Sequence, residues 1–278
     1  MNGAPRQTIP TEITRYYEQV AEERRLAIGP SQLEFARTKE IVQRYLSPAS
    51  ATVLDVGGAA GAYALWLAEL GYQVHLVDAA PRLVEEARRR SEAAVKPIYS
   101  CQVADARELP FGEAVADAML LLGPLYHLTD AADRLRALRE AYRVLRRGGV
   151  LFAAAISRCA SALDGLARDL FRDPAFAAIV GQDLEHGQHR NATGNWDYFT
   201  TAYFHRPEEL AAEVVSAGIT CQGVFGLEGP GWMLADFQAR WADARKREDL
   251  LRVARALEKE SSIVGISAHL LAVGTKGG

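Results

Sequence analysis

The sequence predicts an α/β fold built on a doubly wound, mostly parallel sheet of seven strands, with extra helices before it and a helical cap inserted in it. Three observations carry the prediction. Short apolar runs rich in β-branched residues alternate with amphipathic stretches at helical spacing. The first run, Thr52–Val56, ends in a turn of small residues, Gly57-Gly58-Ala59-Ala60-Gly61, ahead of a helical stretch. The second run, Gln73–Val77, leads directly into an acid, Asp78.

Taken in order, the chain opens with a short terminus and two helical stretches, Thr11–Leu26 and Ser31–Tyr45, separated at Gly29-Pro30. Both precede the first strand, so residues 1–50 are expected to lie outside the sheet, either as surface helices or as a helical lid. Thr52–Val56 is too short for a helix and reads as a buried strand. Ala64, Leu65, Leu67 and Ala68 then follow helical spacing until Gly71 stops them. After Asp78, Pro81 opens a helix that turns Leu83, Val84 and Ala87 to the sheet. The third strand is expected at Ile98–Val103 and the fourth at Asp117–Leu122. An amphipathic helix, Ala131–Arg146, leads to the fifth at Val150–Ile156.

There the rhythm breaks. About fifty residues, Ser157–Arg206, stand where a strand-to-helix connection needs about 2–6. Two helical pieces, Ala160–Phe171 and Pro174–Gly181, precede a polar and aromatic stretch. An insertion after the fifth strand lies above the carboxyl ends of the strands, where such sheets bind ligands, so 157–206 is expected to be a substrate cap. The core is then 51–156 and 207–278. Its second part holds a helix, Pro207–Ala217, a sixth strand, Ile219–Leu227, a second insertion, Gly229–Ser262, and a last strand, Gly265–Thr275.

Composition narrows the class. The chain has 278 residues, 49% of them hydrophobic and 24% charged, as in an ordinary globular protein. A net charge of −3 gives no general attraction to nucleic acid. Three scattered cysteines show neither pairing nor metal spacing, which points to a reducing cytoplasm. No apolar run approaches the ~20 residues of a membrane span.

The strand, glycine turn, helix, strand and terminal acid form a β-α-β unit suited to a nucleoside, with Asp78 placed to accept hydrogen bonds from ribose hydroxyls. The turn spacing is D-x-G-x-A-x-G, with Asp55 two residues before Gly57. An acid there repels a pyrophosphate and suits the ammonium of an amino acid. This pattern resembles the first motif of the class I S-adenosylmethionine-dependent methyltransferases, with Ala59 where that family usually has glycine. Asp105 after the third strand, Arg147-Gly148-Gly149 before the fifth, and an apparent antiparallel seventh strand extend the resemblance over about Thr52–Gly278. It implies a Rossmann-like methyltransferase fold and S-adenosylmethionine as cofactor. The expected cofactor contacts are Tyr17, Arg37, Asp55, Gly57, Gly58, Ala59, Gly61, Asp78, Ala79, Asp105, Ala106 and Leu122. Among them, Arg37 is the expected partner of the methionine carboxylate, and Asp105 and Ala106 face the adenine.

The expected acceptor is a small molecule or short peptide, with no nucleic acid or membrane partner, methylated at an O, N or C atom. Ala- and Arg-rich composition and the long cap suggest a specialised metabolite, and the protein is expected to be a monomer or homodimer. Aromatic and imidazole groups name the acceptor contacts: Tyr16, Tyr126, His189, Trp196, Tyr198, Tyr203 and Trp232. His127, just beyond the fourth strand, is the candidate general base. His186 and His189 lack further ligands for a metal site, and none is expected. Gly123-Pro124-Leu125-Tyr126 stands where enzymes of this family that methylate base amino groups carry D-P-P-Y or N-P-P-Y. Two other readings are a nicotinamide-dependent oxidoreductase, which Asp55 disfavours, and a non-catalytic adenosylmethionine-binding partner or sensor.

Overall fold

The computed structural model describes residues 13, 25–46 and 50–277. Tyr16, Tyr17 and most of the helix expected at Thr11–Leu26 lie outside them. The other N-terminal helix is present at Ser31–Tyr45, as its spacing predicts.

Nine strands form one sheet. They are β1 (Thr52–Val56), β2 (Gln73–Asp78), β3 (Ser100–Val103), β4 (Ala116–Leu121), β5 (Leu145–Ser157), β6 (Gln188–His189), β7 (Ala202–His205), β8 (Ile219–Gly226) and β9 (His269–Lys276). β3, β2, β1, β4 and β5 are parallel neighbours in that order. β9 runs antiparallel to both β5 and β8, as expected of the last strand. The seven expected strands are therefore present. The correction is a short antiparallel hairpin, β6–β7, from the cap: β7 adds to the end of β5 through Ile156↔Phe204 and Ser157↔His205.

Alternation along each strand divides the core between two faces. Leu54, Val56, Met119 and Leu121 meet Leu138 and Ala141 of the helix Ala131–Val144 on one side. Val53, Leu76, Leu120 and Phe152 meet Leu67 of the helix Ala62–Glu69 and Ile41 of Ser31–Tyr45 on the other. The N-terminal helix is thus fixed to the sheet by apolar burial. Among the described residues no helix is long and apolar enough to cross a membrane.

Arg37 sits on the buried side of that helix and is fully buried, paired with Glu40 and Glu258. Glu258 also pairs with Arg44, and Glu40 with Arg255. The guanidinium therefore ties the N-terminal helix to the end of the helix Ala244–Leu257. This corrects the expected contact with a methionine carboxylate, because the charge is already neutralised inside the protein.

Removing one member of such a pair strands the other charges in a poorly solvated place. Arg37→Ala should destabilise the fold by about 3–5 kcal/mol in urea denaturation while leaving adenosylhomocysteine affinity unchanged under conditions where the variant is folded. A loss of affinity without loss of stability would return Arg37 to the cofactor.

Candidate active site

The turn after β1 is built by backbone constraint. Gly57 and Gly61 have φ of +76° and +81°, and Ala59 has φ of +45°, in the left-handed region that glycine occupies without strain. A Cβ on Gly57 would lie 2.4 Å from the Pro124 ring, and one on Gly58 would lie 2.9 Å from the Asp55 carboxyl. Side chains are therefore excluded from Gly57 and Gly58 by the protein itself. The Gly57 and Gly58 amides donate to the Val77 carbonyl at 2.8 and 3.2 Å, holding the turn against the end of β2.

Asp55 pairs in register with Leu76 and Leu120 and is fully buried. Among the described residues neither of its carboxylate oxygens makes a hydrogen bond of full geometry, and the Ala64 amide eases its charge only slightly. Burial, reinforced by the negative charge of Asp78, pushes its pKa up to about 7. A position like this is satisfied by a proton or by a cation.

Asp78 ends β2 and is organised by the turn. Its Oδ2 accepts from the Ala59 amide at 2.9 Å, and its Oδ1 accepts from the Ala80 amide at 2.8 Å. Each oxygen has a second lone pair, so such a carboxylate can also accept from a hydroxyl. Asp105 follows β3 and is held by Arg107, whose Nη2 donates to Oδ2 at 2.7 Å and whose Nε donates to Oδ1 at 3.0 Å. Burial opposes ionisation there, yet Arg107 keeps the carboxyl below its ordinary range. Gly57, Gly58, Ala59, Gly61, Asp78, Ala79, Asp105, Ala106 and Leu122 thus stand at the carboxyl ends of four neighbouring strands, next to Asp55. Arg37 does not join them, and Tyr17 lies outside the described residues.

A cavity of about 250 Å³ lies at the end of β5; none of this group lines it, but Tyr126 of its wall donates its hydroxyl to the Leu122 carbonyl at 3.4 Å. Tyr126, His189, Tyr198 and Trp232 line it, joined by Phe176, Phe199 and Phe204, with Ile156 marking the end of β5. Several of these groups are fixed. The Trp232 indole donates to the Ile266 carbonyl at 2.9 Å, and the Tyr198 hydroxyl donates to Asp173 at 2.8 Å. His189 is buried with Nδ1 2.8 Å from Asp183 Oδ2 and Nε2 2.7 Å from the Tyr198 carbonyl. It borders the cavity with both nitrogens engaged.

Three expected residues stand elsewhere. Tyr203 lies beneath the Arg134 guanidinium at 3.8 Å and meets Glu209, and it braces the cap hairpin instead of facing the cavity. Trp196 begins a half-exposed 3₁₀ turn and does not line the cavity. His127 likewise is not among the lining residues, and its Nδ1 is 3.5 Å from the Thr201 carbonyl. Burial pushes its pKa down to about 4, which makes it a weak proton acceptor. This counts against the expected base. Sequence reasoning passed over Arg25, Asp164 and His269, which also line the cavity. Only the helical or apolar setting of each was visible, with no local motif.

A family of methyltransferase domains matches residues 54–153. A ubiquinone biosynthesis O-methyltransferase of Xanthomonas axonopodis pv. citri is 31% identical over 214 residues, covering 74% of this chain and 75% of that one. The chain belongs to the S-adenosylmethionine-dependent methyltransferases. Its fold is similar to that of a Methanosarcina mazei S-adenosylmethionine-dependent methyltransferase (TM-score 0.58, 18% identity, 85% and 97% of the two chains). It is also similar to that of the [4+2]-cyclase SpnF (TM-score 0.57, 18% identity, 90% and 83%). The fold alone therefore does not choose the reaction. The residues present fit the methyltransferase cofactor: a buried carboxylate with no cationic partner among the described residues suits a cationic ligand, and the side-chain-free turn lets backbone approach it.

The Asp55 carboxyl yields a pH prediction. In the unfolded chain it loses its proton near 3.9, and in the folded, unliganded chain only at about 7. The folded state binds more protons between those values, so stability falls as pH rises through that window. Asp55→Asn removes this titration. Without cofactor, its melting temperature relative to the wild type should climb by about 5 °C between pH 5 and pH 8. A pH-independent difference in calorimetric scans would contradict the assignment.

Proposed function

We propose that this methyltransferase acts on a hydroxyl oxygen of a small aromatic acceptor held in the cavity between the cap and the end of β5. Asp55 faces the amino-acid ammonium of the cofactor, Asp78 receives the ribose hydroxyls, and Asp105 and Ala106 border the adenine. The observation that carries the acceptor class is the cavity wall: Phe176, Phe199, Phe204, Tyr126 and Trp232 enclose a space suited to one flat ring. The choice of oxygen is supported by relatives named O-methyltransferases.

S-adenosylmethionine supplies a methyl group already activated by its positive sulfur, so the chain's work is alignment and exclusion of water. The turn Gly57–Gly61 is clamped to β2 and cannot drift from Asp78. The aromatic walls are held by their own hydrogen bonds, which limits the reorganisation needed when a ring enters.

Methyl transfer to a panel of catechols, phenols, amines and short peptides tests the reading, with adenosylhomocysteine release as the signal. Transfer to catechols or phenols above amines and peptides is expected; transfer confined to amines or peptides would overturn it. Phe176→Ala and Trp232→Ala should raise the acceptor KM about tenfold or more with kcat changed little, because ring contacts serve ground and transition states alike. Their cofactor Kd should stay within twofold or so of the wild type.

A further inference from the structure

We propose that His269 is the general base that takes the acceptor hydroxyl proton, and that Glu228 positions it. The inference rests on the O-methylation reading above and adds the residues that serve it.

His269 opens β9 opposite Ile156, at the ligand end of the sheet, and its ring borders the cavity. Glu228 lies 41 residues earlier, after β8, and is almost wholly buried. Its Oε1 is 2.6 Å from His269 Nδ1, and its Oε2 accepts the His269 backbone N–H at 3.1 Å. One carboxylate therefore grips both the side chain and the backbone of the same residue. An ionised carboxylate only accepts, so Nδ1 carries the hydrogen and the lone pair of a neutral ring lies on Nε2. Among the described residues Nε2 has no hydrogen-bond partner, unlike both nitrogens of His189, the other imidazole at the cavity. A base oriented by a carboxylate, on a residue that lines the acceptor cavity and with a second nitrogen that no described group occupies, is the arrangement that proton abstraction requires.

The surrounding charges suit that work. Glu34 Oε2 lies 3.7 Å from His269 Nδ1, and Arg25 donates to both Glu34 oxygens at 2.6 and 3.1 Å. Burial lowers the basicity of His269 and Arg25 lowers it further, but the two carboxylates and the Glu228 hydrogen bond outweigh them and raise its pKa above the ordinary histidine value. A stronger base than a free imidazole is better matched to a phenolic hydroxyl.

The step is one displacement. The acceptor O–H bond breaks with its proton going to Nε2, and the oxygen forms its bond to the methyl carbon. The electron pair of the broken carbon–sulfur bond stays on sulfur. The imidazolium then returns its proton to solvent.

The test compares the wild type, His269→Gln and Glu228→Gln, each full-length and saturated with S-adenosylmethionine. Turnover of 1,2-dihydroxybenzene is followed from pH 5.5 to 9, and histidine side-chain ¹⁵N spectra are recorded with adenosylhomocysteine bound. Expected are a rate loss of about 10²–10⁴ in His269→Gln with adenosylhomocysteine Kd unchanged and a lower pH for the acidic limb in Glu228→Gln. The wild-type spectrum should show His269 with hydrogen on Nδ1 and a raised titration midpoint that falls in Glu228→Gln. Wild-type-like turnover by His269→Gln, or hydrogen on Nε2 in the neutral ring, overturns the proposal. A rate that requires added Mg²⁺ or Zn²⁺ and vanishes with EDTA also overturns it. The Glu34, Glu228 and His269 ligand atoms lie within 4.8 Å of one another and would then be metal ligands. Failure of the wild type, which binds adenosylhomocysteine, to methylate any catechol or phenol from S-adenosylmethionine overturns the hydroxyl-acceptor reading and the base with it.

Discussion

A carboxylate with no cationic partner among the described residues, buried at the end of a central strand, is the constraint around which this site is arranged. Asp55 is flanked by β2 and β4 and backed by the apolar face that holds Leu76 and Leu120. Nothing described in the protein neutralises it, and Asp78 at the end of the next strand adds a second negative charge. Two neighbouring acids in a water-poor place are costly unless a proton or a cationic ligand joins them. On the proposed reading the cofactor's ammonium is that cation. The clamped glycine turn belongs to the same arrangement, since it carries the Ala59 amide that one Asp78 oxygen accepts.

The acceptor side is held differently. The cap is tied to the core by charged groups inside the structure. Arg134, bonded within the core to Glu213 and the carbonyls of Leu128 and Thr129, lies over Tyr203 of the cap, while Arg158 of the cap bonds Glu209 of the core and the Phe204 carbonyl. Tyr203 sits between these two guanidinium groups. Hydrogen bonds of this kind set the cap hairpin at the end of β5 and leave the apolar surfaces of Phe176, Phe199 and Phe204 for the cavity. The cap and the second insertion meet across that space, through Tyr198 on one side and Trp232 on the other.

What the sequence disclosed was local. β1 falls at Thr52–Val56 as its β-branched run predicts, and Asp55, Gly57 and Asp78 converge because each lies within a few residues of a strand end. The hairpin β6–β7 escaped detection because strands of two and four residues are too short to show alternation. Arg37 was misjudged because its partner Glu258 is 221 positions away, and helical spacing does not tell a buried ion pair from a ligand contact. His127 was favoured for its nearness to β4, a criterion that cannot register desolvation. His269 went unnoticed inside an apolar strand, since Glu228 gives it meaning only through the pairing of β8 with β9.

Proton release on cofactor binding tests the central role of Asp55 most directly. With its pKa at about 7 in the unliganded protein, Asp55 is largely protonated at pH 6 and ionised at pH 8. An arriving ammonium should drive the proton off. Titration calorimetry of adenosylhomocysteine in buffers of different ionisation enthalpy should therefore show release of nearly one proton at pH 6, falling towards zero at pH 8, and abolished in Asp55→Asn. Proton release that is absent at pH 6, or unchanged in Asp55→Asn, would contradict the account.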